Sequence, residues 1–387
     1  MALKVTLIAI IILIGLVVII PFVLNIAGVK VFQFGAVGGG SLGSAGEGML
    51  RSPDGGENWE GVSAVSRRDS FPSSILSFAF HPQNLDIVFL GAKSSGLWRS
   101  IDGGKSWHKL TDRTGVLDLR SDVYKVALGR ENPNLIYLAV FQGGRGLVLR
   151  SENGGTTFSE VYLSPAARAG VFDIYLDPQN EKHVLIVTGD GGILESQNSG
   201  RSWRVKRRFT EAITRLIIHP LIFGEMYVIT SSGNLLKSVD GGENWTDLTD
   251  RLRGTGLEEN IIPTLDLNPF SAFSALGRQA LEALILDPND PETLYAGSKE
   301  GLTRSRDGAF TWKKLDLLIP PEALPISAVA VHPKNRNLIF AGASNQLHRS
   351  EDGGVNWSID ILPTKLRIRG LIMHPLKPEI MFAILAR

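Results

Sequence analysis

The chain has 387 residues, of which 40 are basic and 39 acidic, and it has no cysteine. Near-neutrality argues against a dedicated nucleic-acid binder, whose contact face is usually strongly basic. The missing thiols exclude disulfides, zinc–thiolate sites, a thiol nucleophile and a lipidated cysteine anchor.

In chain order, the first segment is an apolar run. No residue from Val5 to Val29 is charged, and Leu7 to Ile20 is almost wholly aliphatic. About twenty apolar residues cross a bilayer as a helix. A cleavable signal has a shorter apolar core and a small-residue cleavage site, and none stands near Ile26-Ala27-Gly28. The pattern predicts an uncleaved transmembrane anchor over residues 1–29. Lys4 and the free amine favour a cytoplasmic N-terminus, which would put the remainder outside the cytoplasm. Residues 30–46 read as a Gly/Ser-rich tether, the part from Gly35 to Gly46 spanning roughly 20 Å as a coil.

From residue 47 onward one phrase recurs seven times. It starts at Ser52, Ser100, Ser151, Ser196, Ser238, Ser305 and Ser350. Its third position is Asp54, Asp102, Asn153, Asn198, Asp240, Asp307 and Asp352, two glycines usually follow, and it ends on Trp59, Trp107, Phe158, Trp203, Trp245, Trp312 and Trp357. The acidic positions lie 42–51 residues apart, with one interval of 67. Such a period with strand-like runs predicts propeller blades of four strands. In one unit, Ser74–Phe80, Ile87–Ala92, Leu97–Ile101 and Ser106–Leu110 read as the strands. The phrase occupies the hairpin between the third and fourth. There a carboxylate can accept backbone amides and glycine tolerates positive φ. The closing aromatic is expected to pack between neighbouring blades.

A second marker keeps the same register. An X-Pro turn follows each first strand, at Pro82, Pro133, Pro178, Pro220, Pro288, Pro333 and Pro375. Four of these turns begin with His81, His219, His332 and His374, which therefore read as turn residues rather than metal ligands. The two marker sets are offset, so the simplest closure pairs Met381–Ala386 with Met49–Ser52 in one composite blade, leaving no free sheet edge.

Between Trp245 and Pro288 the chain is longer than at equivalent places, the excess lying around Arg251 to Arg278. Long loops in compact folds are often functional, so Leu257, Ile261, Phe270 and Phe273 are candidate binding residues. Ser274–Leu284 is expected to form a short helix. A basic run, Arg201 to Arg208, offers Arg204, Lys206, Arg207 and Arg208 to anionic lipid or an acidic partner; its other reading is a solvated outer strand. Gly143–Gly146 and Asp190–Gly192 read as strand turns, not phosphate loops, because no helix follows them.

The phrase Ser-X-Asp-Gly-Gly-X-X-Trp resembles the Asp box of BNR-type propellers, over residues 47–387. That group includes sialidases, xyloglucanase-type glycoside hydrolases, sortilin ectodomains and the photosystem II stability and assembly factor. The resemblance implies an all-β, seven-bladed propeller in which Asp54, Asp102, Asp240, Asp307 and Asp352 are structural. Asn153, Asn198 and Ala309 depart from the box and are expected to weaken their turns. The Arg-Ile-Pro segment of sialidases is absent, Leu366-Arg-Ile-Arg369 lacking the proline. Xyloglucanase-type enzymes use two tandem propellers, and sortilins have ten blades and a cysteine-rich extension. Glycoside hydrolysis needs two facing carboxylates; Asp69, Asp118, Asp122, Asp173 and Asp190 are available, with no pair singled out and no catalytic residue assigned. The resemblance favours a membrane-anchored, extracytoplasmic, non-enzymatic scaffold that binds a protein partner, with no cofactor or metal. Polysaccharide hydrolysis or binding is the alternative.

Overall fold

A computed structural model describes residues 48–64, 70–220, 222, 224–253 and 281–386. The expected anchor (1–29), tether (30–46), Asp69, Leu257, Ile261, Phe270 and Phe273 lie outside these residues. Among the described residues no helix is long and apolar enough to cross a membrane.

The strands follow the markers. They are β1 (Met49–Ser52), β2 (Glu60–Gly61), β3 (Ser63–Ala64), β4 (Ile75–Phe80), β5 (Val88–Ala92), β6 (Gly96–Ser100) and β7 (Ser106–Lys109). Then come β8 (Asp122–Leu128), β9 (Ile136–Gln142), β10 (Arg145–Ser151), β11 (Ser159–Leu163), β12 (Val171–Asp177), β13 (Asn180–Thr188), β14 (Gly192–Ser196) and β15 (Arg204–Arg208). Next are β16 (Ile213–Ile218), β17 (Met226–Thr230), β18 (Leu235–Ser238), β19 (Thr246–Asp247) and the helix α1 (Thr249–Arg253). The last are β20 (Ala283–Asp287), β21 (Asp290–Ser298), β22 (Gly301–Ser305), β23 (Lys313–Leu315), β24 (Ile326–His332), β25 (Asn335–Ala343), β26 (Gln346–Ser350), β27 (Ser358–Ile361), β28 (Arg367–Met373) and β29 (Met381–Ala386).

They form seven antiparallel blades, six of four strands and one, blade 2, extended to five by β3 lying parallel to β7. Blade 1 is the composite, ordered β2-β1-β29-β28, with Leu50 opposite Ala383 and Ser52 opposite Met381. Blades 2 to 7 take β4–β7, β8–β11, β12–β15, β16–β19, β20–β23 and β24–β27. First strands touch their neighbours at β4–β8, β8–β12, β12–β16, β20–β24 and β24–β28, which sets them around a central channel. Because strand order within each blade is antiparallel, the X-Pro and repeated turns share one face. The other face carries the second-to-third hairpins and the blade connections.

The core lies between blades. Seven apolar clusters form, each joining two neighbours: Met49 and Phe382 of blade 1 meet Trp98 and Trp107 of blade 2. At the far side of blade 1, Leu50 and Met381 meet Phe340 and Leu347 of blade 7. Middle strands are covered on both faces, so β5 is buried throughout, whereas the outer β15 is exposed at every position but Lys206, which is partly buried. This is why second strands read as unbroken apolar runs. Every closing aromatic sits in such a seam, Trp107 fully buried and Trp59 packed on the blade 7–blade 1 cluster.

The repeated turn is a hydrogen-bond device. Ser100 Oγ accepts the Gly104 amide (2.8 Å) and donates to Asp102 Oδ1 (2.7 Å), which accepts the Lys105 and Ser106 amides at 3.0 Å. Asn153 and Asn198, which depart from the box, keep its contacts. Asn153 Oδ1 still accepts the Thr157 amide (2.9 Å) and the Ser151 hydroxyl (2.9 Å). Asn198 does likewise with Ser202 and Ser196. One amide oxygen supplies both acceptor positions, and the nitrogen donates to the Thr157 or Ser202 hydroxyl instead. The histidines of the X-Pro turns are acceptors too: His81 Nδ1 takes the Asn84 amide at 3.0 Å and His374 Nδ1 the Lys377 amide at 2.9 Å.

One element differs from expectation at its described end. Ala283 and Leu284, read as the close of a helix, begin strand β20 and pair with Gly297 and Ala296. Completing blade 6 overrides the helical preference of that local sequence.

Candidate functional site

The connection face holds the mouth of the channel, and the first strands deform there. Six of the seven carry a bulge near their start, placing Leu76, Tyr124, Phe172, Thr214, Ser327 and Arg369 as the extra residues. A bulge re-aims side chains and ends regular pairing. Arg369 is itself an extra residue, and Lys125, Asp173 and Arg215 each directly follow one.

Those charges alternate around the ring. Lys125 Nζ of blade 3 lies 2.9 Å from Asp173 Oδ1 of blade 4. Asp173 also accepts the Ile174 amide and, at 3.4 Å, the Leu216 amide of blade 5. Arg215 of blade 5 donates to the Glu282 carbonyl at 3.3 Å, and Arg369 of blade 1 reaches Glu282 Oε2 at 3.2 Å. Three cations therefore face two carboxylates. Arg215 makes no ion pair among the described residues. It reaches solvent although channel wall surrounds it, and that crowding lowers its affinity for a proton; Asp173 and Glu282 oppose the shift and Arg369 adds to it. The rim also carries an aromatic pair, Tyr124 and Phe172, edge to face at 5.0 Å. Burial, then the charge of Asp122, raises the Tyr124 pKa and keeps the hydroxyl protonated.

Of the carboxylates singled out from sequence, the four that are described lie on different elements and are each engaged. Asp122 Oδ1 accepts the Ser94 amide (2.6 Å), Asp190 Oδ2 holds Arg208 (2.6 Å), and Asp173 is the rim acid just described. Asp118 lies on the connection between blades 2 and 3, one oxygen accepting the Arg120 amide.

The basic run forms ion pairs within the fold. Arg204–Arg208 is the outer strand β15, as one reading held, but most of its charge is spent internally. In six blades the residue before the phrase's serine is basic: Arg51, Arg99, Arg150, Lys237, Arg304 and Arg349. Each stands opposite an aromatic: Phe382, Phe89, Tyr137, Tyr227, Tyr295 and Phe340. Three of them donate to a glycine carbonyl in the next blade's turn: Arg51 to Gly103 (3.1 Å), Lys237 to Gly308 (3.3 Å) and Arg304 to Gly353 (2.7 Å). Blade 4 alone has an acid there, Glu195, opposite Leu185. A carboxylate gains nothing from an aromatic face. Glu195 is 3% exposed and takes Arg204, His183 (2.7 Å) and Lys206 (3.7 Å) instead. Lys206 then reaches Glu243 in the next turn at 2.9 Å. Arg207, its guanidinium 5.7 Å from the Phe209 ring, makes no ion pair among the described residues.

Sequence reasoning weighed Asp173 but missed Lys125, Arg215, Glu282 and the aromatic pair. It noted Leu366–Arg369 only for lacking a proline, although Arg369 belongs to the mouth. The available signal was a polar residue interrupting apolar first strands, as in Val123-Tyr-Lys-Val126 and Ile213-Thr-Arg-Leu216.

No family model matches the chain. Among curated proteins, the human VPS10 domain-containing receptor SorCS2 is 26% identical over 128 residues, 30% of this chain. The match spans about a tenth (11%) of that receptor's length. Among solved structures, YCF48 bound to a D1 peptide is similar with a TM-score of 0.59 and 18% identity, over 81% of this chain and 94% of that one. YCF48 from Cyanidioschyzon merolae gives 0.55 and 16%, over 80% and 95%. The GH74 xyloglucanase from Xanthomonas campestris gives 0.60 and 16%, over 81% of this chain and 50% of the enzyme. At these identities the likeness shows the seven-bladed propeller fold alone.

Proposed function

We propose that this chain is a non-enzymatic binding propeller that holds an acidic segment of a partner protein at the channel mouth. The observation that carries this reading is Arg215, a cation without an ion-pair partner among the described residues, on a rim whose two acids are already held by Lys125 and Arg369. A carboxylate from a partner would form a bidentate, charge-assisted pair with the exposed Arg215 guanidinium, and Tyr124 and Phe172 would add apolar contact. The likeness to YCF48, a propeller whose structure holds a D1 peptide, supports a protein partner. In this reading residues 1–29 tether the propeller (47–387) through the 30–46 linker to a membrane, outside the cytoplasm, where it serves assembly or envelope organisation.

Glycoside hydrolysis is the second reading, favoured by the likeness to the GH74 enzyme. It requires two carboxyls roughly 5 to 10 Å apart across a cleft, one of them protonated. At this mouth Asp173 is held by Lys125 and Glu282 by Arg369, which leaves neither as a free carboxyl facing a cleft.

The test is affinity purification from native membranes in mild detergent, wild type against Arg215→Gln, with xyloglucan hydrolysis measured on the same samples. A co-purifying protein lost in the variant, with no cleavage, supports binding. Sugar release, or an identical set of proteins in both samples, overturns it.

A further inference from the structure

A second concave place lies away from the channel, on the connection face of blade 3. It is a recess of about 420 Å³, within the lower range of small-ligand sites. Val116, Leu147 and Leu163 give it apolar walls, and Asp118 and Arg145 also line it. Leu163 is left 41% exposed there.

Its polar groups divide into spent and unspent. Gln142 is spent: its nitrogen donates to the Val116 carbonyl (2.8 Å) and its oxygen accepts the Asp118 amide (3.1 Å), pinning the loop to the hairpin. Asp118 uses one oxygen, on the Arg120 amide at 2.8 Å. The Arg145 side chain makes no hydrogen bond or ion pair among the described residues. Asp118 and Arg145 line the same recess and make no ion pair with each other. Gly143 opens the hairpin beside Arg145, and a Cβ there would meet nothing within 4 Å.

From this geometry we infer that the recess binds a small zwitterion with aliphatic side chains, of dipeptide size. Its carboxylate goes to Arg145, its ammonium to the unused oxygen of Asp118, and its side chains to Val116, Leu147 and Leu163. An apolar body with one cation and one anion is the chemistry that satisfies all three sets of groups together. The site is independent of the channel mouth, and it stands or falls apart from the binding function proposed there.

The experiment is calorimetric titration of the full chain with L-valyl-L-leucine, its N-acetyl form and its C-terminal amide. Saturable binding of the parent is expected, with both capped forms weaker by about tenfold. Arg145→Gln should weaken the parent by about tenfold yet leave the amide unchanged, and Asp118→Asn should do the same relative to the acetyl form. Arg145→Lys should retain part of the binding. Both positions are exposed, so the variants should melt as the wild type does. No saturable heat up to about 10 mM, equal binding of capped and parent forms, or variants indistinguishable from wild type would each overturn the inference.

Discussion

Lys206 Nζ lies 2.9 Å from Glu243 Oε1, and the two residues belong to different blades. The pair bridges the seam between blades 4 and 5, as Arg51 bridges blades 1 and 2 through the Gly103 carbonyl. It exists because Glu195 occupies the position that is basic elsewhere. The lysine side chain is 9% exposed, so the bridge is only partly screened by solvent.

Replacing Lys206 by Met should therefore cost about 1–3 kcal/mol, since Glu195 and Glu243 lose a shared cation. Arg207→Gln, four residues along the run from Trp203, should stay within about 0.5 kcal/mol of wild type. Urea unfolding of both variants checks this. Equal effects would mean the run is a uniform solvated face.

His348 offers a second case. It is fully buried and neither ring nitrogen has a partner. In the other blades this slot holds Leu50, Trp98, Leu149, Leu194, Leu236 and Thr303. His348→Leu should stabilise the fold by about 1–3 kcal/mol, because an unsatisfied buried polar group is removed. The gain should grow in acid. Burial lowers the histidine's pKa from 6.5 to about 4. Between those values the unfolded chain binds the proton that the folded chain refuses, so stability falls as pH falls. The wild-type minus variant difference, measured from pH 7 to 4, isolates this residue from the other histidines.

The repeated turns set a different acid limit. Hydrogen bonds from the Asn244 amide and side chain hold the Asp240 carboxyl at about 2, and Asn356 does the same for Asp352. A carboxylate with a lowered folded pKa contributes above its unfolded value, 3.8, and that contribution is lost as pH falls through about 2. Asp240→Asn with Asp352→Asn should flatten acid unfolding in that window while keeping the fold, as Asn153 and Asn198 already keep theirs. Circular dichroism at stepped pH reads the outcome. An unchanged acid limb would remove these turns from the account.

Two glycines of the turns separate strain from space. Gly55 and Gly104 both have positive φ, 76° and 82°, but an added Cβ meets nothing within 4 Å at Gly55 and lies 2.5 Å from Phe382 at Gly104. Gly55→Ala should cost about 1–2 kcal/mol, the strain of a left-handed alanine. Gly104→Ala must also displace a buried ring in the blade 1–blade 2 seam and should cost clearly more. Thermal melts of the two variants give the comparison, and a similar loss at both sites would contradict the packing argument.

The sequence by itself determined the seven blades, their four-strand plan, the turn chemistry and the composite closure. Each rests on a contiguous phrase whose meaning is local: a serine and an acid that bond amides within four residues, or an X-Pro step after a strand. The carboxylates and basic side chains were equally visible, but their roles were not. Glu282 meets Arg369 across 87 residues and Lys206 meets Glu243 across 37. The first involves the bulge at Arg369 and the second the one acid standing in a basic series. Only the tertiary structure decided them, because the period assigns each residue to a blade, while the bulges and the packing of adjacent blades set which charges come face to face.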